Sequence, residues 1–151
     1  MKLSSSFTTL NPNNNTFTID NLIFDHDCIY DSQSYGSNIF NQMPTVTNLY
    51  LPDDSRCYKT INCKPINIHN LDGSIHNEAA YSNQLDLQLL KSIEYKDNTT
   101  HVNGIHYYGS WPVLESINMP DTVEYIGNVC FYNTPLLKSF DMPENIKYIG
   151  M

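Results

Sequence analysis

The sequence predicts a β-rich solenoid, with about five turns of short parallel strands and few or no long helices. Three observations lead there. Residues 114–127 (LESINMPDTVEYIG) and 137–150 (LKSFDMPENIKYIG) superimpose at an offset of 23 residues. The positions that agree, identically or apolar for apolar, include Leu, Ile/Phe, Met, Pro, Val/Ile, Tyr, Ile and Gly. A small or apolar residue followed by an aromatic recurs at Ile39-Phe40, Cys57-Tyr58, Ala80-Tyr81, Tyr107-Tyr108 and Cys130-Phe131, with aromatic steps of 18, 23, 27 and 23 residues. Within one unit, an apolar alternation runs for a few residues and stops at a proline.

Each part of that unit has a physical reason. In Leu114-x-x-Ile117-x-Met119-Pro120, Ile117 and Met119 alternate as a strand requires, with Asn118 facing out. Pro120 ends the strand because it has no donor for another ladder bond. Val123 and Ile126 point back inside. Gly127 is expected to turn a sharp corner at positive φ, and Cys130-Phe131 to plug the interior. One unit cannot bury its own apolar face, so stacked units must share a core.

The frame runs back through the chain. Leu90-Lys91-Ser92-Ile93-Glu94-Tyr95 precedes Leu114 by 24 residues, and Val46–Asp53 repeats the strand-plus-proline unit. Residues 36–46 align with residues 127–137. Residues 54–89 carry degenerate repeats, with Ile68-His69-Asn70-Leu71 as the expected strand. Residues 1–35 lack the repeat but contain the strand-like Thr16–Ile19 and Leu22–Phe24, and are read as an N-terminal cap. The solenoid is therefore assigned to 36–151.

Composition sets outer limits. Of 151 residues, 40% are hydrophobic and 12% aromatic, with a mean hydropathy of −0.39. That supports a packed core, and no stretch reaches the roughly 18 apolar residues of a spanning helix. Sixteen acids against eight bases give a net charge of −8. Such a chain repels phosphates, which argues against a nucleic-acid partner and against an anionic membrane face. Residues 1–10 carry no apolar secretory core.

Catalytic and metal signatures are missing. No Gly-x-Ser-x-Gly, phosphate-binding Gly-rich loop or His-Glu-x-x-His occurs. Asp25-His26-Asp27-Cys28 cannot converge on one ion, because consecutive side chains splay. His69, His76, His101 and His106 are read as solvated loop histidines, and Asp53-Asp54 as a solvated pair. Cys28, Cys57, Cys63 and Cys130 match no zinc spacing and are read as reduced, buried thiols. The expectation is no enzyme, no metal and no cofactor. Asn14-Asn15-Thr16 and Asn98-Thr99-Thr100 fit the glycosylation pattern, as expected by chance in a chain with about one Asn in eight.

The motif Leu-x-x-Ile-x-Met-Pro-x-x-Val-x-x-Ile-Gly-x-x-Cys-Phe resembles the 23-residue leucine-rich repeat of the BspA-like family. That pattern has Ala-Phe where this chain has Cys130-Phe131, and Pro at Pro120 and Pro143. The match is specific over 90–151, moderate over 36–53 and weak over 54–89. The resemblance implies a curved β-rich solenoid of the kind found on bacterial and protozoan surface proteins, and binding or adhesion instead of catalysis.

Two surfaces are candidates for function. Outward strand positions form one row of Thr47, Lys91, Glu115 and Lys138, alternating in sign over the last three, and another of Tyr50, Glu94, Asn118 and Asp141. Tyr107 and Trp111 are candidate aromatic anchors beside Gly104 and Gly109, although Trp111 could equally pack in the core. These residues would bind a protein or glycan. The second surface is the uncapped edge at Ile146, Tyr148, Ile149 and Met151, where a further copy of the chain could pack. The leading expectation is a non-catalytic protein- or glycan-binding module of the adhesin type. The alternative is a structural subunit of a larger assembly, such as a virion or appendage. Cell surface or virion would be the corresponding location.

Overall fold

The computed structural model describes residues 2–3, 18–24, 40, 43–53, 61–73, 85–103 and 111–151. Among the described residues nine strands follow in order: β1 (Lys2–Leu3), β2 (Thr18–Phe24), β3 (Thr45–Tyr50), β4 (Lys64–Leu71), β5 (Ser92–Tyr95), β6 (His101–Val102), β7 (Ser116–Asn118), β8 (Tyr125–Ile126) and β9 (Tyr148–Ile149). One sheet has the order β1-β2-β3-β4-β5-β7 and a second the order β6-β8-β9. Every pairing is parallel. Among the described residues the only helical segment is a 3-10 turn at Leu87–Leu89. This is the expected parallel β-solenoid.

The inward positions make one continuous file. Leu22 pairs with Leu49, Leu49 with Ile68, Ile68 with Ile93 and Ile93 with Ile117, and all five side chains are buried. Each contributes about 1.5–3 kcal/mol by leaving water. Met119, Val123 and Ile126 are buried as their spacing predicts. Phe40 and Cys130, two of the expected interior plugs, are buried as well. Cys130 Sγ donates to the Val102 carbonyl at 3.1 Å. Cys57-Tyr58, Ala80-Tyr81 and Tyr107-Tyr108 lie outside the described residues.

Two backbone features recur between turns. A β-turn closes the corner after β5 and after β7, with Thr99 N–H donating to Lys96 O at 2.9 Å and Val123 N–H to Pro120 O at 3.1 Å. Beyond the corner, one carbonyl accepts two successive amides. Thr100 O takes Glu124 and Tyr125, and Glu124 O takes Lys147 and Tyr148. These shared acceptors align the second sheet one turn above the next.

Several expectations are corrected. Gly127 does not turn the corner at positive φ; Val129 (50°) and Asn133 (56°) do. Glycine serves instead where adjacent turns approach closely. A Cβ on Gly150 would stand 2.5 Å from Asn128 N and 2.7 Å from the Gly127 carbonyl carbon. One on Gly73 would stand 2.7 Å from His101 O. Residues 137–141 form no strand, so the repeat with the clearest motif does not extend the six-stranded ladder. Its Leu137 N–H turns back to Thr134 O at 3.1 Å.

At the other end, β2 is a rung of the same ladder as β3, paired from Thr18↔Thr45 to Ile23↔Tyr50, so the strand-like part of the expected cap stacks like a repeat. The boundary set at residue 35 lies outside the described residues. The weakest stretch of motif holds the longest strand, β4, which includes the expected Ile68–Leu71. Pro65 fills an inward position there, while Lys64 and Ile66 carry the ladder bonds to Pro44 O and from Lys91 N. The strand bulges at Asn70, which adopts φ 62° and donates its amide to Leu51 O (2.9 Å) and Asp53 Oδ1 (3.1 Å). Asn tolerates this conformation at little cost.

Candidate functional site

The outward face of the six-stranded sheet carries three parallel rows. The middle row is a ladder of amides and hydroxyls. Asn48 Nδ2 donates to Asn21 Oδ1 at 3.1 Å, Asn67 Nδ2 to Asn48 Oδ1 at 3.1 Å, and Ser92 Oγ to Asn67 Oδ1 at 2.7 Å. The partners stand 27, 19 and 25 residues apart in sequence. Unequal connections therefore deliver side chains to one register line. Each such bond nets about 0.5–1.5 kcal/mol.

The second row is Ile23, Tyr50, His69, Glu94 and Asn118, one residue from each of β2, β3, β4, β5 and β7. Tyr50 and Glu94 were expected here; His69 was not. Its ring stacks on Tyr50 with centroids 4.4 Å apart and planes at 11°. Its Nδ1 lies 2.6 Å from Glu94 Oε2, and its Nε2 lies 3.4 Å from Asn48 Oδ1. His69 thus lies on the strand expected at Ile68–Leu71 and is joined to three neighbours, which overturns its other reading, as a solvated loop histidine. The signal that could have found it was the outward position two residues after Asn67 on the strand centred at Ile68.

The third row contains Thr47, Ile66, Lys91 and Glu115. Lys91 Nζ and Glu115 Oε1 pair at 3.7 Å, both about half exposed. Lys138 was expected to continue the row in an adjacent strand. With no strand at 137–141, it shares only a shallow depression with Glu115, Leu136 and Ser139. Asp141 is exposed beyond the last rung. Trp111 is 1% exposed and packs in the core beside Leu114, so it is not an exposed anchor. Tyr107 lies outside the described residues.

The second sheet carries its own aromatic column. His101, Tyr125 and Tyr148 are in register on β6, β8 and β9, and the rings of His101 and Tyr125 stack at 4.5 Å and 14°. His101 is therefore a strand residue too, against the loop expectation. Lys147 Nζ meets Glu124 Oε1 at 2.8 Å, and this hydrogen bond raises the lysine above its ordinary range. Beside the column lies the expected edge. Tyr148, Ile149 and Met151 are exposed and Ile146 is half-buried, and Leu136, Met142 and Tyr132 add exposed apolar surface in the same turn.

Chemistry of the remaining candidates is structural. Asp53 pairs with Lys96 at 3.4 Å and accepts from Asn70, which replaces the solvated reading. Cys63 and Cys130 are free, buried thiols. Burial pushes Cys63 up to about 12 and Cys130 up to about 11, the latter opposed by a backbone bond at Gly127. Neither is a nucleophile at neutral pH. Cys28, Cys57, His26, His76 and His106 lie outside the described residues. Among the described residues, no three His, Cys, Asp or Glu side chains gather as a metal site, and no helix is long and apolar enough to cross a membrane.

No curated protein and no solved structure matches the chain. The family model for the BspA-type leucine-rich repeat region matches residues 53–151 in six copies. That span includes the 54–89 stretch in which the motif is degenerate yet β4 is longest. The inward Leu/Ile file, the parallel ladder and this match agree: the chain belongs to the BspA-type leucine-rich repeat family.

Proposed function

We propose that this protein is a non-catalytic docking module of the surface-protein type, which takes a partner protein on the outward strip of the six-stranded sheet. One observation carries the reading. Parallel register gathers Tyr50, His69, Glu94 and Asn118 from four successive rungs into a single exposed column. Tyrosine flanked by hydrogen-bonding groups is the composition that dominates protein interface energetics. The stack also bears on partner class. Tyr50 and His69 spend a face on each other, so the strip offers ring edges and polar tips more than open faces. A sugar ring needs an open aromatic face, which makes a glycan the second choice.

The test is biolayer interferometry against a panel of purified proteins and a glycan array, comparing the parent with a Tyr50→Ala/Glu94→Ala variant of unchanged circular dichroism. A protein bound by the parent and lost by the variant supports the strip. A protein held equally by both overturns it, and binding confined to glycans replaces the partner class.

A second reading, the structural subunit of an assembly, is favoured by the exposed apolar side chains Leu136, Met142, Tyr148, Ile149 and Met151. Light scattering over a concentration series distinguishes it. A constant monomer mass supports the docking module, and growing mass supports the subunit.

A further inference from the structure

We propose that the partner protein adds an extended segment to the open edge of β7, as a further parallel rung of the six-stranded sheet, and that Phe140 keeps this chain's own last turn off that edge. Along a strand, successive residues turn their N–H and C=O groups to opposite edges. Glu115 N–H and Ser116 N–H both donate to Lys91 O, at 2.9 and 3.1 Å, so Ser116 faces β5. Ile117 therefore points its N–H and C=O away from β5, toward the next turn. Among the described residues neither group is hydrogen-bonded, and Glu115 O accepts nothing. Ile117 is only 6% exposed. Buried backbone groups are almost always paired, so this edge lacks a strand that every earlier rung of the ladder has.

The chain's own last turn does not fill the place. Elsewhere the equivalent carbonyl takes the following turn: Ile66 O accepts Lys91, Lys91 O accepts Glu115 and Ser116, and Glu124 O accepts Lys147 and Tyr148. Residues 137–143 repeat the motif of residues 114–120, and Leu137 enters its turn as Leu114 does, by bonding the carbonyl three residues back. The difference lies at the inward position. Leu22, Leu49, Ile68, Ile93 and Ile117 are aliphatic, and the residue 23 places after Ile117 is Phe140. Its ring leans on Phe131, with centroids 5.1 Å apart and planes at 55°. A side chain too large for its site shifts backbone. Lys138 and Ser139 stand off from Glu115 across a depression of about 310 Å³.

An extended segment fits this edge, because unpaired strand edges are templates for another chain. In the parallel register of β5 and β7, two N–H groups of the segment would meet Glu115 O and Ile117 O, and one of its carbonyls would meet Ile117 N–H. Its outward side chain would stand next to Asn118, continuing the column that Tyr50, His69 and Glu94 begin. The depression puts Glu115 and Lys138 beside the apolar Leu136, and Phe140 lies on the inward side. The fitting segment therefore alternates polar and apolar residues.

This attachment rests on the docking reading and adds its mode. The probe is a blocked synthetic peptide with the sequence of residues 114–120, which in the chain already pairs as a parallel rung on β5. ¹⁵N NMR of the full chain follows the titration. Saturable shifts centred on the Ile117 amide are expected, with slower hydrogen exchange there. Methylating the peptide nitrogen at its Ser116 or its Asn118 position should weaken binding about three- to tenfold, as suits the loss of one hydrogen bond. Methylation at its Ile117 position faces away from β7 and should leave binding unchanged. No shift at Ile117, or equal effects of the three methyl groups, overturns the proposal. So does an Ile117 amide already protected in the free protein, or protected by raising the protein concentration alone, since the last turn or a second copy then holds the edge. Phe140→Ile should let residues 138–141 close on β7 and exclude the peptide, and undiminished binding there overturns the role of Phe140. The Tyr50→Ala/Glu94→Ala variant keeps this edge and should hold the peptide as the parent does, so the strip and the edge can fail separately.

Discussion

Phe40 and Asn62, from neighbouring turns, form a closed pair inside the solenoid. Phe40 N–H donates to Asn62 Oδ1 at 2.9 Å, and Asn62 Nδ2 donates back to the Phe40 carbonyl at 2.7 Å. Phe40 is fully buried and Asn62 nearly so. A side-chain amide thus serves both the N–H and the C=O of Phe40 at its plug position.

That pair gives the first prediction. Asn62→Ala removes both of these buried hydrogen bonds at once. The expected loss is about 1–3 kcal/mol, as suits two intramolecular hydrogen bonds. Urea denaturation measures it. Asn62→Asp should also destabilise, because a carboxylate cannot donate to the Phe40 carbonyl. A variant as stable as the parent would show that water serves these groups.

The core position of Trp111 gives the second. Trp111→Ala should lower stability by about 3–5 kcal/mol, the usual result of emptying a large buried site. At a marginal total stability this unfolds much of the protein. Thermal denaturation by circular dichroism reads it directly. A mild effect, with lost binding and an unchanged melt, would return Trp111 to the role of a surface anchor.

The glycines give the third by comparison. A Cβ at Gly73 meets the His101 carbonyl at 2.7 Å and Thr99 Cγ2 at the same distance, with no flexible tip to yield at the carbonyl. At Gly127 the nearest atom is Asn103 Oδ1, at 3.2 Å, on a side chain that can shift. Gly73→Ala should therefore cost about 1–3 kcal/mol as overpacking, and Gly127→Ala about 0.5 kcal/mol or less. Equal effects in denaturant titration would refute close approach as the reason for Gly73.

The thiols give the fourth. Burial holds Cys63 near 12 and Cys130 near 11, against an ordinary 9.0. The neutral thiol is the form the fold accepts. Its contribution is complete below pH 9 and fades as the pH rises from 9 through these values. At pH 8, alkylation of both should be slow in the native protein and fast in urea. Mass spectrometry after timed iodoacetamide treatment decides it, and rapid native labelling at either cysteine would contradict the burial.

Inward residues were legible in the sequence because they obey a local rule. Ile117, Met119, Val123 and Ile126 fall inside wherever a period near 23 returns them to the axis, and the same rule places Leu49 and Ile93. The solenoid follows from that periodicity, and the family resemblance from the motif residues that recur with it. The outward site was legible in part: Tyr50, Glu94 and Asn118 share a column, and Lys91 meets Glu115, as their positions in the motif imply.

Tertiary structure decided the rest, because outward contacts depend on register between turns of unequal length. Connections of 27, 19 and 25 residues bring Asn21, Asn48, Asn67 and Ser92 into one ladder, and no local pattern announces that alignment. His69 joined the column because β4 formed where the motif had faded. Lys138 left its row because residues 137–141 formed no strand. Trp111 was settled by its neighbours, since an aromatic side chain is anchor or core according to what packs over it. The sequence by itself determined the period, and hence the core. The meeting of turns decided which outward groups touch, and with them the candidate site.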